Sequence, residues 1–97
     1  MNKNIKAVLW RIGSSVVLTV PADILKDIRD ADDGNILLLT FKKGGESFKF
    51  FSKPWKCGGS HVATVPSSVV SVYGLMNDVK SKDPIGVNIK MAPNISG

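Results

Sequence analysis

Ninety-seven residues, 43% hydrophobic and 22% charged with nine Gly and five Pro, describe an ordinary globular chain with room for one compact domain. That mix excludes intrinsic disorder, collagen-like structure and coiled coil, and no apolar run exceeds the four residues of 36–39, too short to span a bilayer. Thirteen Lys and Arg against eight Asp and Glu leave a net charge of +5, which favours a polyanionic partner.

The placement of the charges says more. Residues 1–20 hold Lys3, Lys6 and Arg11 and no acid; residues 42–56 hold Lys42, Lys43, Lys49, Lys53 and Lys56 against Glu46 alone. The acids gather at Asp23, Asp27, Asp30, Asp32 and Asp33, so one basic face and one acidic end are expected. No apolar stretch of secretory-signal length follows residues 1–6, and the single cysteine, Cys57, makes no internal disulfide or cysteine-rich zinc site. A cytoplasmic protein is the expectation.

In chain order, residues 5–10 are an apolar-rich strand candidate, and Gly13, Ser14 and Ser15 mark a turn. Residues 16–20 are β-branched and strand-prone, and Pro21 ends that strand where a helix can start. The helix spans about 22–30, with Ile24, Leu25 and Ile28 on one face. A strand over 36–41 follows, then a tight turn over 42–47 with Gly44 and Gly45 at its tip. Residues 48–53 are a further strand candidate, and Gly58, Gly59 and Ser60 mark a turn before a strand that ends at Pro66. A second helix spans about 67–73, with Val69, Val70 and Tyr73 on one face and Gly74 as its left-handed stop. Residues 80–84 lengthen the next loop by about five, and a last strand runs over 87–91 with Asn88 and Lys90 facing outward.

A shift of 45 residues lays 10–21 on 55–66. Trp10/Trp55, Gly13/Gly58, Ser15/Ser60, Val17/Val62, Thr19/Thr64, Val20/Val65 and Pro21/Pro66 are then identical, and Arg11/Lys56 keeps its charge. Seven matches in twelve stand against about one expected by chance at residue frequencies of roughly 5–9%. The chain therefore reads as one domain, 1–97, made of two repeats at about 4–43 and 48–91. Neither repeat is large enough for a core of its own.

A strand, a Gly-x-Ser turn, a strand ending in Val-Pro, a short helix and Asp33-Gly34-Asn35-Ile36 before a strand: this order resembles the AbrB/MazE family of prokaryotic transition-state regulators and antitoxins. The first copy matches through 10–15, 19–25 and 33–36, and the second through 56–66 and Tyr73-Gly74-Leu75. The resemblance implies a mainly β fold with short helices, a swapped-hairpin barrel formed here by one chain as a pseudo-dimer. It also implies a prokaryotic or viral regulator of transcription that grips double-stranded DNA by a basic face built from both repeats. Carried onto this chain, the contacts are Arg11, Ser14, Ser15 and Thr19, with Lys56, Gly59, Ser60 and Thr64; the outlying Lys6 and Lys53, with Lys3, Lys42, Lys43 and Lys49, read as general electrostatic attraction. Many members place an arginine two residues before the proline, where Thr19 and Thr64 stand; a threonine there can donate to phosphate. The alternative is an antitoxin or other protein-interaction module of the MazE type, although only residues 92–97 follow the last strand, against the long toxin-wrapping extension of family antitoxins. A monomeric pseudo-dimer or a small even oligomer is expected.

Other chemistries find little support. Cys57 and His61 stand at C-x3-H, but their repeat counterparts are Ile12 and Val16, so both read as packing positions and no metal is expected. No orienting partner turns this pair into a nucleophile, and no Gly-rich nucleotide loop is present, so neither an enzyme nor a cofactor is expected. Trp10 and Trp55 read as packing residues rather than base-stacking platforms. Asn94-Ile95-Ser96 is a chance sequon.

Overall fold

The structure, a computed structural model, describes residues 2–30 and 36–91, with side chains described at 3–26 and 36–91. The stretch 31–35, which holds Asp32, Asp33 and most of the Asp-Gly-Asn-Ile match, lies outside the described residues, as do the side chain of Ile28 and the sequon at 94–96. No helix among the described residues is long and apolar enough to cross a membrane.

Among the described residues eleven elements follow one another: β1 (Asn2–Val8), β2 (Trp10–Ile12), β3 (Ser15–Thr19), α1 (Ala22–Asp30), β4 (Leu37–Lys43), β5 (Glu46–Ser52), β6 (Trp55–Cys57), β7 (Ser60–Val65), α2 (Ser67–Val72), α3 (Leu75–Ser81) and β8 (Pro84–Met91). The strands build two antiparallel sheets, a long one of order β1-β8-β4-β5 and a short one of order β2-β3-β7-β6. The fold is mainly β with short helices. Each sheet keeps two edge strands, so the barrel expected from the sequence is not closed.

The strand expected over 5–10 is two strands in different sheets. Leu9, 1% exposed, is the corner between them, buried because its side chain continues the inward series of Ile5 and Ala7. The turn between β4 and β5 is as tight as its composition demands. Lys43 pairs with Glu46, and Gly44 and Gly45 take φ of 58° and 79°, which a two-residue hairpin loop of this kind requires of both central residues.

Shifting by 45 residues carries β1, β2 and β3 onto β5, β6 and β7, and shifting by 48 carries β4 onto β8. Under that exchange both strand orders read backwards into themselves. The registers obey it too: Ile5 opposite Val87 becomes Phe50 opposite Leu39, and Arg11 opposite Val16 becomes Lys56 opposite His61. Two pairs map onto themselves, Leu18 with Ala63 in the short sheet and Thr40 with Asn88 in the long one. A pseudo-twofold axis therefore runs between the members of each pair.

This corrects the expected alignment of 36–41 with 87–91. Residues 37–43 and 85–91 have the same sequence of buried and exposed positions, so the second copy is longer by three residues rather than five. A period-two pattern fits equally well two residues out of frame, and only the pairing decides. The lengthened connection is also not a loop. Leu75, fully buried, with Met76 and Val79 packed against the core, gives α3 an apolar face at i, i+1 and i+4. Gly74, at φ 61°, both stops α2 and precedes α3. Lys43 fastens α3 to the sheet, its Nζ donating to Asp78 Oδ2 at 2.6 Å and to the Tyr73 carbonyl at 3.0 Å.

The core lies between the sheets. Leu37, Leu39, Phe41, Phe48, Phe50, Ile85, Val87 and Ile89 face Val16, Leu18, Val20, Ala63 and Val65, and Ile24, Val70 and Leu75 of the helices join them. Phe48 stacks on Tyr73 at 3.7 Å between centroids, which ties the end of α2 to β5.

In the long sheet β1 is bonded only to β8, and β4 lies between β8 and β5, so neither half of the chain holds two adjacent long strands from its own repeat. Residues 1–45 and 46–97, expressed separately, should each lack a cooperative urea transition by circular dichroism, and mixing them should restore one. A half that unfolds cooperatively as a monomer would contradict the interleaved order.

Candidate nucleic-acid interface

Strand alternation divides the residues expected to contact DNA. In the short sheet Arg11 stands opposite Val16 and Lys56 opposite His61, on the side that faces the core but out on edge strands β2 and β6. Ser15, Thr19, Ser60 and Thr64 project from the outer side, with Trp10, Ile12, Val17, Trp55, Cys57 and Val62. The eight repeat-derived positions therefore do not share one surface. Ser14 and Gly59 are the second residues of the two hairpin turns, whose first residues, Gly13 and Gly58, take φ of 59° and 61°. Arg11 folds back on its own turn, Nη2 donating to the Gly13 carbonyl at 3.1 Å.

The outer side of the short sheet is aromatic. Trp10 stands opposite Val17 and Trp55 opposite Val62, and both valines are wholly buried although they belong to no part of the core between the sheets. Each indole leans along its neighbour: Trp10 Nε1 donates to Thr19 Oγ1 at 3.1 Å and Trp55 Nε1 to Thr64 Oγ1 at 2.8 Å. The two tryptophans, expected as packing residues, stand on the outside, with more than a third of each exposed. Cys57 is on this side and His61 on the other, so strand alternation separates the C-x3-H pair. No cluster of three or more metal-ligating side chains occurs among the described residues.

The long sheet presents a different outer side. Across its four strands run Asn4–Asn88–Thr40–Lys49 and, next to it, Lys6–Gly86–Lys42–Ser47; Lys90, Leu38 and Phe51 stand beyond Thr40, and Val8 and Pro84 at the other end. No acidic side chain stands on this face among the described residues. Lys3 and Lys43, one position out of phase, are ion-paired with Asp23 and Asp78. Lys6, Lys42, Lys49 and Lys90 form no ion pair among the described residues and are exposed. Asn88 Nδ2 donates to Asn4 Oδ1 at 2.9 Å, bridging β8 and β1. Over Gly86 the face sinks into a hollow of about 320 Å³, lined by Asn4, Lys6, Lys42, Gly86 and Asn88.

Of the ten expected contacts, Lys6 alone lies on this face; Lys53 is exposed at the corner after β5. Lys42 and Lys49, expected to add only general attraction, and Lys90 are not among the expected contacts. Their signal is the period-two series Asn4/Lys6, Thr40/Lys42, Lys49/Phe51 and Asn88/Lys90, which becomes a surface only once β8 is known to lie between β1 and β4. Comparison of the chain with protein-family models, curated proteins and solved structures finds no match.

The tryptophan–threonine bonds generate a stability test. Thr19→Val and Thr64→Val keep the side-chain shape and remove the acceptor, so each should lower the urea unfolding free energy by about 1 kcal/mol and alter tryptophan emission. Unchanged midpoints and spectra in both variants would mean that the indoles are not held by these hydroxyls.

Proposed function

We propose that the protein binds duplex DNA as a regulator of transcription, through a basic face built from both repeats. The observation that carries this reading is the outer side of the long sheet, where, among the described residues, four lysines form no ion pair, asparagine and threonine stand between them, and no acid is present. Lysine at such positions neutralises phosphates and releases condensed counterions, the main source of affinity for a duplex. Lys6 comes from the first repeat, Lys49 and Lys90 from the second, and Lys42 from the end of the first.

Symmetry supports a duplex over other polyanions. The pseudo-twofold exchanges Lys42 and Lys90 about the Thr40–Asn88 pair, on adjacent antiparallel strands. From a rise of about 3.4 Å per residue and a strand spacing near 4.8 Å, their Cα atoms are about 14 Å apart. That span exceeds the roughly 12 Å width of the major groove, so the two lysines can meet phosphates of opposite strands. The AbrB/MazE resemblance supports the same class of partner. It also accounts for the interleaved strands, which we assign to a single-chain counterpart of a swapped-hairpin dimer. Arg11 and Lys56 are pseudo-equivalent charges on the edge strands of the other sheet.

The slope of log K against log salt tests the reading, since each phosphate contact contributes about 0.9 to its magnitude. The double variant Lys49→Ala/Lys90→Ala should lose about 1.8 on duplex DNA, and Arg11→Ala/Lys56→Ala less than 0.9. The reverse ranking would move the duplex to the short sheet and its turns. Tighter binding to a single strand of the same sequence would replace the duplex as the ligand.

A further inference from the structure

We infer that Lys6, Gly86 and Lys42 form a seat for one backbone phosphate of the duplex, present on only one side of the pseudo-twofold axis. The inference rests on the DNA-binding reading and adds a position and a polarity to it.

Lys6 and Lys42 occupy the same cross-strand row on β1 and β4, with β8 between them, and the residue between them is Gly86. Two strand spacings separate their Cα atoms by about 9.5 Å. A phosphate held by two ammonium groups at N···O distances of about 2.7–2.9 Å fits between side chains so placed, because the flexible four-carbon stems can lean inward over the glycine. Gly86 is not there for its backbone conformation: its φ is not positive, and a Cβ built on it meets nothing within 4 Å. What its missing side chain leaves is the hollow, floored by the middle of the sheet and walled by the two lysines and by Asn4 and Asn88. A cationic pair around an open floor suits a compact, multiply oxygenated anion.

The other half of the face differs. The pseudo-twofold carries Lys42 onto Lys90, but it carries Gly86 onto Leu38 and Lys6 onto Phe51, which is 62% exposed. There the floor is filled and one of the two cations is an aromatic ring. A duplex on this face therefore meets a two-lysine phosphate seat in one half-site, and in the other Lys90 beside an apolar patch, with Lys49, the counterpart of Asn4, one row nearer the axis. The preferred DNA site is accordingly an imperfect palindrome with a fixed orientation.

Two lysines that share one phosphate have a distinctive signature in salt titrations. On the full-length protein, Lys6→Ala and Lys42→Ala should each reduce the slope by less than 0.9, and the double variant by about 0.9 in total. Gly86→Glu, whose side chain starts in open space, should fill the seat with a carboxylate and produce the same total loss. A double-variant loss near 1.8 would assign the lysines to two phosphates and overturn the shared seat. An unchanged slope in all three variants, with Lys49→Ala/Lys90→Ala still showing its loss, would overturn the seat and leave the DNA-binding reading standing. A wild-type protein that does not bind the duplex would overturn both. Inorganic pyrophosphate that shifts the Gly86 amide resonance at submillimolar concentration without DNA would show a free-anion site instead, against the assignment to the duplex backbone.

Discussion

Everything on the outside of the long sheet depends on the antiparallel pairing of β4 with β8 at its centre. These strands come from opposite repeats, and their register sets Leu39 against Ile89 and Phe41 against Val87 on the core side. The same register sets Thr40 against Asn88 and Lys42 against Gly86 on the other. Since successive strand residues face opposite ways, a slip of one residue would bury Lys42 and Lys90 and expose Phe41 and Ile89. Burial of the apolar series thus fixes where the lysines stand. The pairing also forces the interleaving, because β1 can reach the sheet only on the far side of β8 and β5 only on the far side of β4.

Charge is sorted by the same alternation. Lys3 and Lys43 lie one position out of phase with the exposed row and are met by acids on the helices, Asp23 on α1 and Asp78 on α3. Among the described residues, the in-phase lysines are then the charges of the sheet that no acid meets. On the short sheet the outer positions went to Trp10, Val17, Trp55 and Val62, with the threonine hydroxyls engaged as acceptors for the indoles. That surface is built chiefly of apolar area and hydroxyls, whereas the long sheet offers cations, so phosphate contact is better served there.

Much of this was legible locally. The helix after Pro21, the glycine turns, the Gly44–Gly45 hairpin and the left-handed Gly74 follow from turn chemistry and period, and they stand where the sequence reading expected them. What could not be read was set by pairing at long range. Residues 5–10 look like one strand because the corner at Leu9 has no glycine or proline to mark it; the break is imposed by the two sheets to which its flanks belong. Residues 80–84 read as a loop extension from their Lys, Ser, Asp and Pro content, yet 80 and 81 close α3, whose helical spacing lies in Leu75, Met76 and Val79. The resemblance carries its contacts over by position along the chain, which takes no account of the face that each strand residue occupies in this fold. Alternation then separated Arg11 and Lys56 from Ser15, Thr19, Ser60 and Thr64.

The most direct test of the account is the footprint of a duplex oligonucleotide on the protein's amide and indole resonances. Binding at the long sheet predicts shifts at Lys6, Thr40, Lys42, Gly86, Asn88 and Lys90. The two indole N–H signals of Trp10 and Trp55, on the opposite sheet, should keep their positions. Movement of both indole signals with the long-sheet amides unchanged would contradict it.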